Sequence, residues 1–246
     1  MSKKVGIMQP YFVPYIGYWQ LLNAVDEYVI YDDVNFIKGG WINRNRILVN
    51  GNPTYFNIPM LGASSFKLIN EIGVNQDEKL IKKNLKTIEE AYKKAPYFKV
   101  IYPMIEKILK CGKDNLAEYI AYSTKIICLY LDINTKIHMS SELKKDNSLK
   151  GQDKVIAICK ELGATDYYNA IGGQELYSYE DFEANGINLN FVKTNEITYK
   201  QYNNEFIPFL SIIDVMMFNS KEEVKQMLTE FTLINNETKE RSLWKR

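Results

Sequence analysis

The chain has 246 residues, 46% of them hydrophobic, 13% aromatic and 25% charged, which is the composition of a globular protein able to bury a sizeable core. Thirty-one Lys and Arg against thirty Asp and Glu leave a net charge of +1, excluding a whole-molecule field that would gather nucleic acid or anionic membrane. No stretch approaches the roughly 18 uninterrupted apolar residues of a membrane helix, and Gln9-Pro10 interrupts any signal-like N-terminal run, so a cytoplasmic protein without a membrane span is expected.

Val5-Gly6-Ile7-Met8 reads as a buried strand running into a Pro-rich loop, Gln9 to Pro14. Leu21, Leu22 and Val25 then recur at helical spacing, and Tyr28 to Tyr31 is strand-like before Asp32-Asp33. Strand, loop, helix and strand within so short a span are the size of a parallel βαβ unit. In such a sheet ligands bind at the carboxyl ends of the strands, where Gln9, Tyr11, Gly17, Asp32, Asp33 and Asn35 would lie.

Arg46 to Val49 and Thr54 to Ile58 flank Asn50-Gly51, a strong hairpin signal. Helical stripes follow in Ile81, Leu85, Ile88 and Tyr92, in Val100, Ile101, Met104, Ile105 and Ile108, and in Leu116, Ile120, Ile127 and Leu131; all are expected in the core. Beyond them lie strand candidates at 135–139, 166–169 and 187–192, and helix candidates at 153–162, 207–218 and 222–228. The expected architecture is α/β: one unit over residues 1–234 with a Rossmann-like parallel sheet, a β-hairpin insertion at about 36–74, a helical insertion at about 78–131, and a charged tail at 235–246.

Rare residues narrow the chemistry. His138 is the only histidine, which excludes His-rich zinc or di-iron sites and leaves acid-base work to carboxylates, Lys, Tyr or the substrate. Cys111, Cys128 and Cys159 sit at helical positions and read as reduced thiols rather than a disulfide or metal framework. Only four of the basic residues are Arg, and two of them stand together in Asn43-Arg44-Asn45-Arg46. Strand alternation would put Arg44 and Arg46 on one face, as forks for phosphate or carboxylate. Asn43 and Asn45 would share the other face with Trp41, suited to sugar hydroxyls and to stacking on a sugar or base. Asp32 or Asp33 is a candidate to hold Mg2+ or to deprotonate an ammonium nucleophile, while turn chemistry accounts for the same residues. Asp214, on an apolar segment, needs a partner such as Arg44 or a helix N-terminus.

Gln9-Pro10-Tyr11, Pro14-Tyr15-Ile16-Gly17-Tyr18, Asp32-Asp33-Val34-Asn35-Phe36, Trp41 to Arg46, Leu162-Gly163-Ala164-Thr165 and Leu210-Ser211-Ile212-Ile213-Asp214 together resemble the WbqC-like family of bacterial surface-polysaccharide loci. That resemblance implies a role in O-antigen or related glycan synthesis, with glycyl transfer onto an amino sugar as the suggested chemistry. A second likeness covers only Pro10 to Tyr18, which looks like the strand-end loop of nucleotidylyltransferases. There Tyr15 and Tyr18 occupy the positions of two histidines, and neutral tyrosine cannot supply imidazolium charge.

The expected function is therefore acyl or aminoacyl transfer to a nucleotide-linked amino sugar. Asp32, Asp33 and Arg44 are the catalytic candidates, and Gln9, Tyr11, Gly17, Asn35, Trp41, Asn43, Asn45 and Arg46 are the substrate-binding candidates. No metal-ligand set is assigned. The donor is open between ATP/Mg with a free amino acid, another activated acyl donor, and an aminoacyl-tRNA as the one nucleic-acid partner. A non-catalytic module binding glycan precursors or pathway proteins, and a nucleotidyl transferase, stand as alternatives.

Overall fold

A computed structural model describes residues 2–202 and 205–236. In chain order its elements are β1 (Lys4–Met8), α1 (Ile16–Asn23), β2 (Glu27–Ile30), β3 (Arg44–Val49), β4 (Asn52–Asn57), β5 (Met60–Leu61), β6 (Gly73–Val74), α2 (Glu78–Tyr92), α3 (Phe98–Leu109), α4 (Leu116–Leu131), β7 (Lys136–Met139), α5 (Gly151–Glu161), β8 (Asp166–Ala170), α6 (Tyr179–Ala184), β9 (Asn188–Thr194), α7 (Ile212–Phe218), α8 (Lys221–Met227) and β10 (Phe231–Ile234).

Six strands form the central sheet in the order β10-β9-β8-β1-β2-β7. β1 pairs in parallel with both β2 and β8, β2 with β7, and β8 with β9, whereas β10 closes the edge antiparallel to β9. The strand order thus reverses direction at β1 and β8, as in doubly wound Rossmann-like sheets. The inner strands are short apolar runs buried on both faces, the pattern that requires helices above and below.

Tyr28, Ile30 and Tyr168 pack on one face with α1, α2, α3, α4 and α7. Val5, Ile7, Val29 and Tyr167 pack on the other with α5 and α6. The hairpin β3–β4 is a separate antiparallel sheet turning on Asn50 (φ 49°) and Gly51 (φ 76°), both left-handed as a two-residue type I′ turn demands.

Several expectations are corrected. Val100 is exposed, because its place on α3 faces away from the stripe of Ile101, Ile105 and Ile108. Helix α7 begins only at Ile212, where the Ser211 hydroxyl accepts the Ile213 N–H; residues 205–211 form a non-helical loop around Pro208. Strand β10 carried no distinct signal, since an antiparallel edge strand takes its register from β9. All three cysteines are free thiols. Of the tail, residues 237–246 lie outside the described residues. No helix among the described residues is long and apolar enough to cross a membrane.

Candidate functional site

The reversal of strand order leaves a crevice at the carboxyl ends of β1 and β8, and three loops are stitched around it. The Phe12 N–H donates to the Ile42 carbonyl (3.0 Å), tying the loop after β1 to the segment before β3. Ser211 bridges to both, its N–H donating to the Arg46 carbonyl (2.8 Å) and its hydroxyl to the Val13 carbonyl (2.6 Å). Ile212 N–H adds a bond to the Pro14 carbonyl (2.9 Å). Val13 (φ 39°) and Phe209 (φ 58°) both sit in the left-handed region that side-chain-bearing residues avoid. The stitching holds that strain where the loops meet, and such strain clusters at binding clefts.

Met8, Tyr11, Pro14, Tyr15, Tyr18, Trp41, Asn45, Arg46, Ala170 and Phe209 line one cavity of about 400 Å3 in this crevice. It is walled by aromatic rings, with Phe209 edge-on to Tyr15 at 5.9 Å and Tyr11 against Tyr18 at 5.8 Å. Burial raises the pKa of Tyr11 and of Tyr18, so both rings stay neutral hydroxyl bearers.

Arg46 is the cavity's only charged side chain. Its Nη2 makes one long bond to the Phe209 carbonyl (3.4 Å), its guanidinium lies 5.7 Å from the Trp41 ring, and its Nε is buried without an acceptor among the described residues. Arg44 differs: Nε donates to the Gly40 carbonyl at 3.1 Å, Nη2 donates to the Gly39 carbonyl, and the group stacks 4.5 Å from Tyr55. The two arginines flank Asn45 on the strand, but one fork is consumed by its own loop, while the other makes a single long bond.

The other expected residues divide. Asn45 is buried, its amide donating to the Phe12 carbonyl (3.3 Å) and its Oδ1 accepting the Arg46 N–H (2.9 Å), so it sets the pose of the Arg46 backbone. Asn43 donates to the Ile58 carbonyl at the hairpin base (3.3 Å). Trp41 neighbours Arg46 and, at 6.3 Å, Tyr55. The space a side chain would take at Gly17 is filled by the Tyr15 and Thr194 hydroxyls, so this glycine serves close packing of α1.

Gln9 and Tyr11 line a second cavity of about 600 Å3 with Ile7, Met8, Tyr31, Val34, Ile37, Gln152, Asn169, Ala170, Gly172, Gly173, Leu176 and Tyr177 among its walls. Met8, Tyr11 and Ala170 belong to both cavities, which therefore adjoin.

Asp32 and Asp33 line neither of these two cavities, although the space beside Asp33 shares Tyr31, Val34 and Gly151 with the second. Asp32 is buried and accepts from the Ser141 N–H (3.0 Å), the Ser141 hydroxyl (2.6 Å) and Asn70 Nδ2 (3.2 Å), bracing the loops after β2 and β7. Asp33 Oδ2 lies 2.8 Å from Lys145 Nζ and 3.0 Å from Lys154 Nζ. Burial raises its pKa, but the ammonium groups of Lys145 and Lys154 outweigh that and hold the carboxyl below the ordinary range. Asp33, Asn35, Asn70, Ser141 and Lys154 border a third cavity, of about 590 Å3, where Asn35 donates to the Ser65 carbonyl (3.0 Å). His138 sits on β7 with Nε2 2.6 Å from Glu27, whose own carboxyl is held low by Lys3 and His138 against the opposing effect of burial. Among the described residues no group of three or more His, Cys, Asp or Glu is placed to hold a metal.

Sequence reasoning gave no role to Phe209, Lys145 or Lys154. Lys154 carried a faint signal, a cation beside the apolar Val155-Ile156 in the first turns of α5. Phe209 carried none, since its place depends on Ser211 reaching across to Val13.

A family model described as the WbqC-like protein family matches residues 9–226. The uncharacterized protein Rv1507c of Mycobacterium tuberculosis is 28% identical over 232 residues, covering 92% of this chain and 97% of its own length. No solved structure matches the chain.

Proposed function

The chain belongs to the WbqC-like protein family, and on that premise we propose that it transfers an amino-acid-derived acyl group, such as glycyl, to a nucleotide-linked amino sugar destined for a surface polysaccharide. The observation that carries the proposal is Arg46, a guanidinium with no carboxylate partner among the described residues, in an aromatic cavity at the point where strand order reverses. The Nη end of the guanidinium makes only one long bond, to the Phe209 carbonyl, and a phosphate there would add charge-assisted bonds. Rings around it suit the apolar face of a sugar. The adjoining second cavity lengthens the cleft enough for an extended, nucleotide-linked substrate.

In the transfer the amino-sugar nitrogen forms a bond to the acyl carbon, the bond from that carbon to its leaving group breaks, and the nitrogen loses a proton. Asp33 is a poor base for that proton, being engaged by two ammonium groups, and Asp32 spends its oxygens on Ser141 and Asn70. The residues of the cleft then act by holding and orienting an amine that arrives unprotonated, so turnover should rise with pH through the titration of the substrate's own ammonium.

The test is a panel of nucleotide-linked amino sugars, each given with ATP and glycine, with an aminoacyl-tRNA or with an acyl-CoA, followed by mass spectrometry of the sugar nucleotide. Gain of an acyl mass with one donor supports the proposal. Thermal stabilisation by a sugar nucleotide without product from any donor class would replace it with a precursor-binding role.

A further inference from the structure

We infer that the larger cavity, beside the one that holds Arg46, is a nucleobase chamber: it receives the uncharged heteroaromatic ring of a nucleotide whose phosphate lies on Arg46. The inference rests on the nucleotide-linked substrate proposed above and assigns the two halves of that ligand to two different cavities.

The first argument is charge. None of the side chains lining the larger cavity is acidic or basic, whereas the cavity next to it holds the Arg46 guanidinium, which has no carboxylate partner among the described residues. A ligand spanning both has one uncharged part and one anionic part, attached to each other across the shared wall of Met8, Tyr11 and Ala170. The second is shape and surface. Tyr31 and Tyr177 are aromatic, Val34, Ile37, Val155 and Leu176 are aliphatic, and Leu176 and Ile37 are exposed at 70% and 52%. Apolar walls with a few polar groups are what a flat ring needs for burial on its faces and recognition at its edge.

The third argument is the edge itself. Asn169 and Gln152 already have partners: Asn169 Oδ1 accepts the Ala170 N–H (2.7 Å), and Gln152 Oε1 accepts the Ser178 N–H (3.0 Å) while its Nε2 donates to Asp181. No hydrogen bond within the described residues engages the side-chain amide of Gln9, at the carboxyl end of β1. An amide offers a donor and an acceptor side by side, the pairing that matches a base edge. Gly172, in the loop after β8, completes the chamber, and a Cβ there would meet nothing within 4 Å.

The experiment measures affinity by calorimetry for inorganic pyrophosphate, for the nucleoside diphosphates of all five bases, and for the matching nucleosides. The parent should bind one diphosphate at least tenfold more tightly than pyrophosphate and discriminate among bases. Gln9→Leu should keep pyrophosphate affinity while losing most of that discrimination. Gly172→Phe, which adds a ring at a residue lining the chamber, should abolish the gain from the base, with Gly172→Ala as the control that retains it. Arg46→Met should weaken pyrophosphate and diphosphates alike while leaving the order of preference among bases. Nucleoside diphosphates binding no better than pyrophosphate, or an unchanged base preference in both Gln9→Leu and Gly172→Phe, would overturn the inference. Base-dependent binding that responds to these variants, with no acyl product in the separate assay, would remove the acyl-transfer reading and leave the chamber standing.

Discussion

The hydroxyl of Tyr92 donates to Asp214 Oδ1 across 2.8 Å, joining two residues 122 positions apart in a fully buried pair. Tyr199 (2.7 Å) and Gln201 (2.8 Å) donate to the other carboxylate oxygen, so this acid is held by three neutral donors and, among the described residues, by no cation. The same Tyr92 oxygen accepts the Leu48 N–H at 3.0 Å, which ties α2, α7 and the hairpin to one point.

Removing that point has a definite cost. Tyr92→Phe strands both the Leu48 N–H and one Asp214 oxygen, and it should destabilise the fold by about 2 to 4 kcal/mol, summing two unmet buried groups. Urea unfolding of the variant checks this, and a loss under about 0.5 kcal/mol would contradict it.

The pH dependence at Asp214 has a sign. Burial raises its pKa in the fold above the ordinary 3.8, against the opposing bonds from Tyr199, Tyr92 and Gln201. Between the unfolded value and the raised folded one, the folded state binds more protons, so this residue's contribution to stability falls as pH rises. The difference in unfolding free energy between the parent and Asp214→Asn should therefore shrink as pH climbs from about 3.8 upward, and a growing difference would refute the assignment.

Asp33 should behave oppositely. Its folded pKa is depressed, so its contribution is complete above the unfolded value of 3.8 and is lost as pH falls below that toward the folded value. Asp33→Asn leaves the enclosed ammonium groups of Lys145 and Lys154 without their carboxylate and should cost about 3 to 5 kcal/mol near neutrality. Equal stability of parent and variant would return Asp33 to the candidates for proton transfer.

The two arginines should separate cleanly. Arg46→Lys keeps the charge and loses the fork, and pyrophosphate affinity should fall at least tenfold with little change in melting temperature. Arg44→Lys surrenders the bonds to Gly39 and Gly40 and the Tyr55 stack, so it should shift hairpin stability by about 1 kcal/mol and leave pyrophosphate affinity intact. Calorimetry with pyrophosphate and thermal melts on both variants decide it, and the reverse pattern would exchange their roles.

At Gly17, any side chain collides with the Tyr15 and Thr194 hydroxyls, so Gly17→Ala should cost about 1 to 3 kcal/mol and displace the Tyr15 ring from the cleft wall. Melting temperature together with ligand affinity reports both effects, and a variant unchanged in each would show that α1 can yield.

Local patterns in the chain determined the parallel strands, the first βαβ unit, the Asn50-Gly51 hairpin and the helical stripes, because strand and helix periods and turn dihedrals are set by neighbours a few residues apart. They also marked the Pro-rich loop after β1 and the Arg pair as places where something unusual is required. Which arginine remains free was decided only by tertiary structure: Gly39 and Gly40 fold back on Arg44, while Arg46 is sited by Ser211 and faced by Phe209. Asp33 reads in sequence as an available carboxylate, and it is engaged because Lys145 and Lys154 arrive from beyond the whole helical insertion. Asp214 was legible as a buried acid in need of a partner, but the partners proved to be Tyr92, Tyr199 and Gln201 rather than Arg44 or the helix end. A side chain's hydrogen-bond capacity is written in its own residue type, whereas the group that satisfies it is chosen by chain segments brought together only when the sheet and its two helical layers close.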